Sequence, residues 1–225
     1  LYLDSEYHPI KEVMLGGAVR YEKYSDFGST VTGKLSTRWD PTKEIGVRAT
    51  LSTGFRAPSV QQKFYSSVST NLNQAGQLTE TLTAREGSAV TTALGIKPLK
   101  EETSRSGSIG LVLRPAKNMS LTADLYEIKI KDRIVFSSEI SPEAGGGPIA
   151  NVLNPLGVGQ AQFFTNAVDT KTRGLDIVAD HTTKFDASTL VLSAQLGFNK
   201  TEVTNRHSPS SLLTGDQLFN QAQVT

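Results

Sequence analysis

Apolar residues recur at every second position of this sequence, over runs that a helical period cannot accommodate. Between Lys11 and Tyr24, Val13, Leu15, Gly17, Val19 and Tyr21 fall on one side, and Met14, Gly16, Ala18, Arg20 and Glu22 on the other. Val31, Gly33, Leu35, Thr37 and Trp39 repeat the alternation against Lys34, Ser36, Arg38 and Asp40, and Val47, Ala49 and Leu51 against Arg48, Thr50 and Ser52. A period of two is that of a β-strand with unlike faces. The pattern resumes near Thr103 (Gly107, Ile109, Leu111, Leu113) and continues through Met119, Leu121, Ala123 and Leu125 to about Lys131. It returns from Arg173 to His181 and again at Leu190, Leu192, Ala194, Leu196 and Phe198. About eight strand segments are predicted, and the chain is all-β. Beyond Leu125 the phase drifts, with Ile128 and Ile130 on the polar side; a bulge or a hairpin stalk above a bilayer each accounts for this.

The connections alternate in length. A first strand ends at Glu6 and turns at Tyr7-His8-Pro9; further short turns fall at Asp40–Lys43, Pro115–Asn118 and Thr182–Asp186. On the opposite end lie the tight loop Ser25–Ser29, nearly fifty residues after Thr53, a stretch from about Ile134 to Phe163, and a polar stretch from Lys200. Within the third of these, Gly145-Gly146-Gly147-Pro148 reads as loop and Ile149–Leu153 as one helical turn. Short turns at one end and long loops at the other are the habit of antiparallel outer-membrane barrels, and a soluble sandwich has no reason to segregate them. One strand face is apolar; the other carries Arg20, Lys34, Arg38, Arg48, Asp124, Asp176 and Asp180, which suits a wide, wet lumen. Tyr21, Trp39 and Phe198, near strand ends, fit interfacial aromatic girdles or the caps of a soluble core.

Composition removes competing classes. Lys+Arg 23 against Asp+Glu 22 leaves a net charge of +1, so no basic excess points to nucleic acid. Cysteine is absent, which excludes disulfide staples and thiolate metal sites. No run approaches the roughly 20 apolar residues of a spanning helix, whereas a spanning strand needs only about 10 with one apolar face. The start Leu1-Tyr2-Leu3-Asp4-Ser5-Glu6 lacks an initiating Met and a signal peptide, and the sequence reads as a piece of something longer.

No catalytic, cofactor or metal site is expected. His8, His181 and His207 lie far apart without metal-ligand spacing, and Gly145–Gly147 is not followed by the Lys and helix of a phosphate loop. Glu101-Glu102 reads as a solvated loop end rather than an acid/base pair. Three residues are candidates for ligand or plug contact. Arg56, at the mouth of the lumen, offers a planar five-donor guanidinium to a plug or an anionic ligand, or else to a carboxylate on a neighbouring strand. Phe64 and Tyr65, in the long loop, either stack on a ligand or pin the loop to itself.

Four stretches, in order, carry a family resemblance. Thr53-Gly54-Phe55-Arg56-Ala57-Pro58-Ser59 contains the Gly-Phe-Arg-Ala-Pro signature of TonB-dependent outer-membrane receptors. Leu99-Lys100-Glu101-Glu102-Thr103-Ser104 resembles the Leu-Lys-Pro-Glu-x-Ser run of that family, with Glu101 in place of proline. Leu121–Tyr126 followed by Ile130-Lys131-Asp132-Arg133-Ile134 resembles its next strand, and Phe163–Ala167 with Thr172–Asp176 its Asn-x-Ala... Gly-apolar-acidic strand. The resemblance implies residues 1–225 as about eight antiparallel up-and-down strands of a 22-stranded transmembrane β-barrel with long extracellular loops, the plug and terminal strands lying elsewhere. It implies a Gram-negative outer-membrane receptor importing a scarce nutrient such as an iron-siderophore, cobalamin or oligosaccharide. The expected partners are that extracellular ligand, outer-membrane lipid, and the inner-membrane TonB energising complex reached through an absent N-terminal region. The alternative is a non-transporting β-sheet scaffold or interaction module.

Overall fold

The computed structural model describes residues 1–25, 28–72, 76, 78–208 and 210–219. Asp26 and Phe27, in the expected tight loop Ser25–Ser29, lie outside the described residues. The alternating runs become β1 (Tyr2–Ile10), β2 (Val13–Tyr24), β3 (Gly28–Trp39), β4 (Ile45–Arg56), β7 (Glu102–Ala116), β8 (Met119–Phe136), β10 (Phe164–Lys184) and β11 (Thr189–Arg206). They form one eight-stranded sheet in the order β1-β2-β3-β4-β7-β8-β10-β11, an up-and-down meander. Between β4 and β7 lie the short helix α1 (Val60–Phe64), the hairpin β5 (Ser67–Leu72) and β6 (Leu78–Thr83), and α2 (Ala89–Ala93). Between β8 and β10 come α3 (Pro148–Leu153) and β9 (Gln160–Gln162), and after β11 comes α4 (Gly215–Leu218). β9 pairs in parallel with β6 to complete a second, three-stranded sheet. No described helix is long and apolar enough to cross a membrane.

Two expectations are corrected. β1 does not end at Glu6 but runs to Ile10, and the chain turns at Lys11-Glu12. Pro9 is held inside the strand because the β1–β2 register shifts between Tyr7 and Ile10, so the missing N–H falls at an irregularity of a strand at the sheet's edge. The stretch from Lys200 is not loop: β11 continues to Arg206 and only then leaves the sheet. The segment holding the phase drift after Leu125 belongs to β8, which runs past Lys131 to Phe136.

The chain divides into two compact units. The first comprises Leu1–Phe55, Thr103–Ile130 and Lys171–Glu202, which is most of the eight-stranded sheet. Among its described residues no apolar side chain is buried, and Leu35, Leu51 and Val31 are about two-thirds exposed at 66%, 67% and 65%. A sheet presenting such a face to water would forgo about 1.5–3 kcal/mol for each large side chain.

Its other face is a network of polar side chains. Arg48 donates to Asp124 through Nε (2.9 Å) and Nη2 (2.6 Å). Ser52 and Ser106 hydroxyls meet at 2.7 Å, Ser193 donates to Asp180 at 2.6 Å, and Thr172 meets Thr201 at 2.8 Å. Glycine makes the longest of these spans possible. A Cβ at Gly110 would strike both the Asp124 carboxylate and Arg48 Nε, so the pair crosses β7 over a position with no side chain. Gly174 does the same for the Tyr126 ring.

The second unit comprises Arg56–Glu102, Lys131–Thr170 and the segment from Val203. It holds the dry core: Leu94, Leu153, Ala161, Phe163, Ala167 and Leu218, with Val90, Ile140, Ile149, Leu213 and Phe219, are buried together. The long connections are therefore packed against one another as a folded body with its own strands and helices.

Candidate functional site

One residue from each of the four stretches that carry the resemblance, Arg56, Glu102, Asp132 and Asn166, lies in the second unit. Arg56 ends β4 and Glu102 begins β7. The guanidinium engages the carboxylate in two parallel bonds, Nε to Oε2 at 2.9 Å and Nη2 to Oε1. Oε1 also accepts the backbone N–H of Ile134 at 2.7 Å. Glu102 is 5% exposed, so the carboxylate is satisfied from two elements at once, as a buried charge must be. Glu101-Glu102 is thus not a solvated pair: Glu102 faces inward.

Beside it, Asn166 of the Asn-x-Ala stretch uses its whole amide. Oδ1 accepts from Lys100 N at 2.9 Å, and Nδ2 donates to Lys100 O at 3.0 Å and Asp132 O at 2.6 Å. Asp132 has φ 55°, a left-handed conformation in which Asp and Asn are enriched among side-chain-bearing residues. Lys100 Nζ pairs with its Oδ2 at 2.8 Å, and its N–H donates to Asp169 Oδ1 at 2.9 Å. The result is a clamp in which the last residues of one long connection and the first of the next are tied by Glu102 and Asn166. Asp132, Asp169 and His207 present ligand atoms close enough to share a cation, with His207 Nε2 3.3 Å from Asp132 Oδ1. The Lys100 ammonium already supplies positive charge to Asp132 there.

The three candidate contact residues take different places. Arg56 spends its guanidinium on Glu102, although the side chain stays 58% exposed. Phe64 and Tyr65 follow a helical turn that the sequence fixes locally: Ser59 Oγ accepts from Gln62 N (3.1 Å) while Gln62 Oε1 accepts from Ser59 N (3.0 Å), a capping box. α1 then ends with Phe64 62% and Tyr65 54% exposed and Val60, one turn back, exposed too. These rings do not pin the loop to itself; they stand out from it.

A second loop device concerns Glu143. Its carboxylate accepts from Ala150 N (2.7 Å) and Ile149 N (3.2 Å) at the start of α3, whose N-cap, Gly147, has no side chain to do so. A Cβ at Gly147 would fall 2.6 Å from the Glu143 carboxyl carbon, so glycine leaves the carboxylate its path. The backbone N–H of Ala150, with that of Ile149, holds the Glu143 carboxyl below its ordinary value of 4.5 against the opposing effect of desolvation. Sequence patterns alone show the motifs but not the clamp, because its partners are 32 and 66 residues apart.

Comparison with known proteins agrees with this arrangement. The profile of the family described as TonB dependent receptor-like, beta-barrel, matches residues 1–223. Among solved structures, the chain resembles the siderophore receptor PirA from Pseudomonas aeruginosa at 16% identity and a TM-score of 0.65, over 91% of this chain and 34% of that one. The RagAB peptide importer aligns at 14% identity and a TM-score of 0.59, over 91% of this chain and 22% of that one. The ferric enterobactin receptor PfeA from Pseudomonas aeruginosa, as an R480A, Q482A mutant, aligns at 18% identity and a TM-score of 0.59, over 87% and 26%. No curated protein sequence matches. The chain spans about a third or less of the length of these receptors. Its alternating strands, together with a family match along nearly every residue, place it plainly: the chain belongs to the TonB-dependent receptor family, as part of its outer-membrane β-barrel.

Proposed function

We propose that this chain forms part of the wall and mouth of an energy-coupled importer that takes up a scarce nutrient, with iron-siderophores, cobalamin and oligosaccharides as the candidate classes. In this reading residues 1–225 are a partial barrel domain, the plug lies elsewhere in the receptor, and the TonB energising complex couples through a region N-terminal to this one. The observation that carries it is the pairing of an ungreasy inner wall with mouth loops that have a core of their own and still display Phe64 and Tyr65. TonB-dependent receptors are transporters, so the reading assigns no catalytic role.

Phe64 and Tyr65 offer stacking area to a bulky ligand at little entropic cost. Arg56, locked to Glu102, positions the loop rather than reaching for ligand. The test uses whole cells carrying the intact receptor, with and without dissipation of the inner-membrane potential, probed with radio-iron-loaded catecholate and hydroxamate siderophores, cyanocobalamin and a maltodextrin. One probe should bind and be taken up only with an energised inner membrane. Phe64→Ala/Tyr65→Ala should weaken its binding about tenfold, the scale of one or two lost aromatic contacts. Unchanged binding would remove these two residues from the site, and failure of all probes to bind would favour a scaffold.

A further inference from the structure

The polar face of the eight-stranded sheet neutralises its own cations. On β2, Arg20 and Glu22 are two residues apart and so share a face, and the guanidinium meets the carboxylate at 2.6 Å. Arg38 of β3 does the same with Asp40, donating Nε at 2.6 Å, and Arg114 of β7 closes on that carboxylate at 3.7 Å. Arg48 has no acid two residues away on β4 and reaches Asp124 instead, across Gly110. These four guanidinium groups are thus spent on carboxylates of the sheet itself.

What remains over is not positive. Lys34 has no ion-pair partner among the described residues, and Lys184, at the end of β10, shares a hollow with Asp180 and Arg114. Against these two ammonium groups stand four further carboxylates. The β1–β2 register puts Asp4 opposite Ala18 and Glu6 opposite Gly16, Asp176 lies over Gly197, and Asp180 accepts from Ser193. Between the charges the face is hydroxylic: Thr32 stands opposite Arg20, Ser36 opposite Thr50, and Ser52 opposite Lys34. A hydroxyl donates and accepts hydrogen bonds without adding charge. A cleft lined by one sign of charge focuses its field and speeds capture of the opposite ion about 10- to 1,000-fold. This face offers an anion no such field, because its guanidinium groups are cancelled at hydrogen-bond distance and most of its uncompensated groups are carboxylates.

We propose that the nutrient passing this face is an uncharged molecule rich in hydroxyl or amide groups, and that polyanionic ferric catecholates are discriminated against. The proposal rests on the importer reading, in which the polar face lines the lumen, and it narrows that reading to uncharged ferric hydroxamates, cobalamin and oligosaccharides. Glu22 and Asp124 are then specificity determinants: each cancels a cation that would otherwise draw an anion in.

The test uses the purified intact receptor in detergent, with a radio-iron-loaded tricatecholate, an uncharged radio-iron-loaded trihydroxamate, radiolabelled cyanocobalamin and a radiolabelled maltodextrin. Association rates are compared at about 0.05 and 0.5 M NaCl, since screening removes a steering field and spares uncharged contacts. Wild type should capture one of the three uncharged probes at a rate that changes less than about twofold with salt, and the tricatecholate at least about tenfold more slowly. Glu22→Gln/Asp124→Asn, which frees Arg20 and Arg48, should speed capture of the tricatecholate about tenfold, at low salt only. Thr50→Lys adds a cation to the same face without breaking a pair and should act in the same direction, which decides the matter should the double variant not fold. Heat-modifiable gel migration is followed for each variant. Fastest capture of the tricatecholate by wild type, a wild-type rate that falls steeply with salt, or folded variants with no gain toward the tricatecholate overturn the proposal and leave the importer reading standing. Binding of none of the probes overturns the importer reading, and the proposal with it.

Discussion

Replacing Glu102 by Ala should open the mouth loops without unfolding the strands. Three bonds are lost: two from Arg56 and one from the Ile134 N–H. The arginine arm is worth little, because its side chain is 58% exposed and water can take over; about 1 kcal/mol is a fair allowance. The Ile134 N–H is costlier, since Ile134 is 6% exposed and its donor is stranded, a loss of about 1–3 kcal/mol. Together the clamp loses about 3 kcal/mol, which makes local opening roughly a hundredfold more frequent. Glu102→Gln keeps an acceptor for Ile134 and should lose only about 1 kcal/mol, close to the loss from Arg56→Ala. Hydrogen exchange on the intact receptor in detergent reads this out: the Ile134 amide and its neighbours should exchange roughly a hundredfold faster in Glu102→Ala. Amides shared by β2 and β3 should not change. An Ile134 amide that stays within twofold of wild type, or an equal acceleration in β2 and β3, refutes the reasoning.

Two further outcomes follow from side-chain geometry. Gly110→Val should break the Arg48–Asp124 crossing by driving a branched side chain into it, at a cost of about 1–3 kcal/mol, seen as a lower unfolding temperature on heat-modifiability gels; an unchanged temperature would show that the pair bends away freely. The Glu143 carboxyl is depressed in the folded loop, so its contribution is fully present above its ordinary 4.5 and lost as the pH falls through the lower folded value. Exchange at α3 should therefore rise on acidification below 4.5 in wild type and be flat over that window in Glu143→Gln; equal pH profiles would remove Glu143 from the capping role.

The strands were legible because a two-sided sheet writes its faces directly into alternating residues, and Val47, Ala49 and Leu51 needed no partner to be read. Misreadings came where a local rule met a non-local solution. Pro9 signals a turn by itself, yet an edge strand with a register shift takes it in. Lys200 to Arg206 lacks an apolar face and so reads as loop, although the β11 ladder continues through it. The loop core was invisible for a different reason: Leu94, Leu153 and Leu218 come from three separate connections, and no window of sequence contains more than one of them. Of the contact candidates, Arg56 was legible as a cation at the mouth, but its carboxylate partner lies 46 residues away.

That three-part core also sets a timetable. Leu94 belongs to the same buried cluster as Leu213, Leu218 and Phe219, and the Ser210 hydroxyl donates to Leu94 O across 116 residues. Contacts of such sequence separation pay a large loop-closure entropy before they return anything, and they form late. Translation and membrane insertion must deliver β4 through β11 before the last wall of this core exists. The second unit is then the final part of this segment to be finished, and until it is, its apolar loop segments are the stretch most exposed to proteases and chaperones.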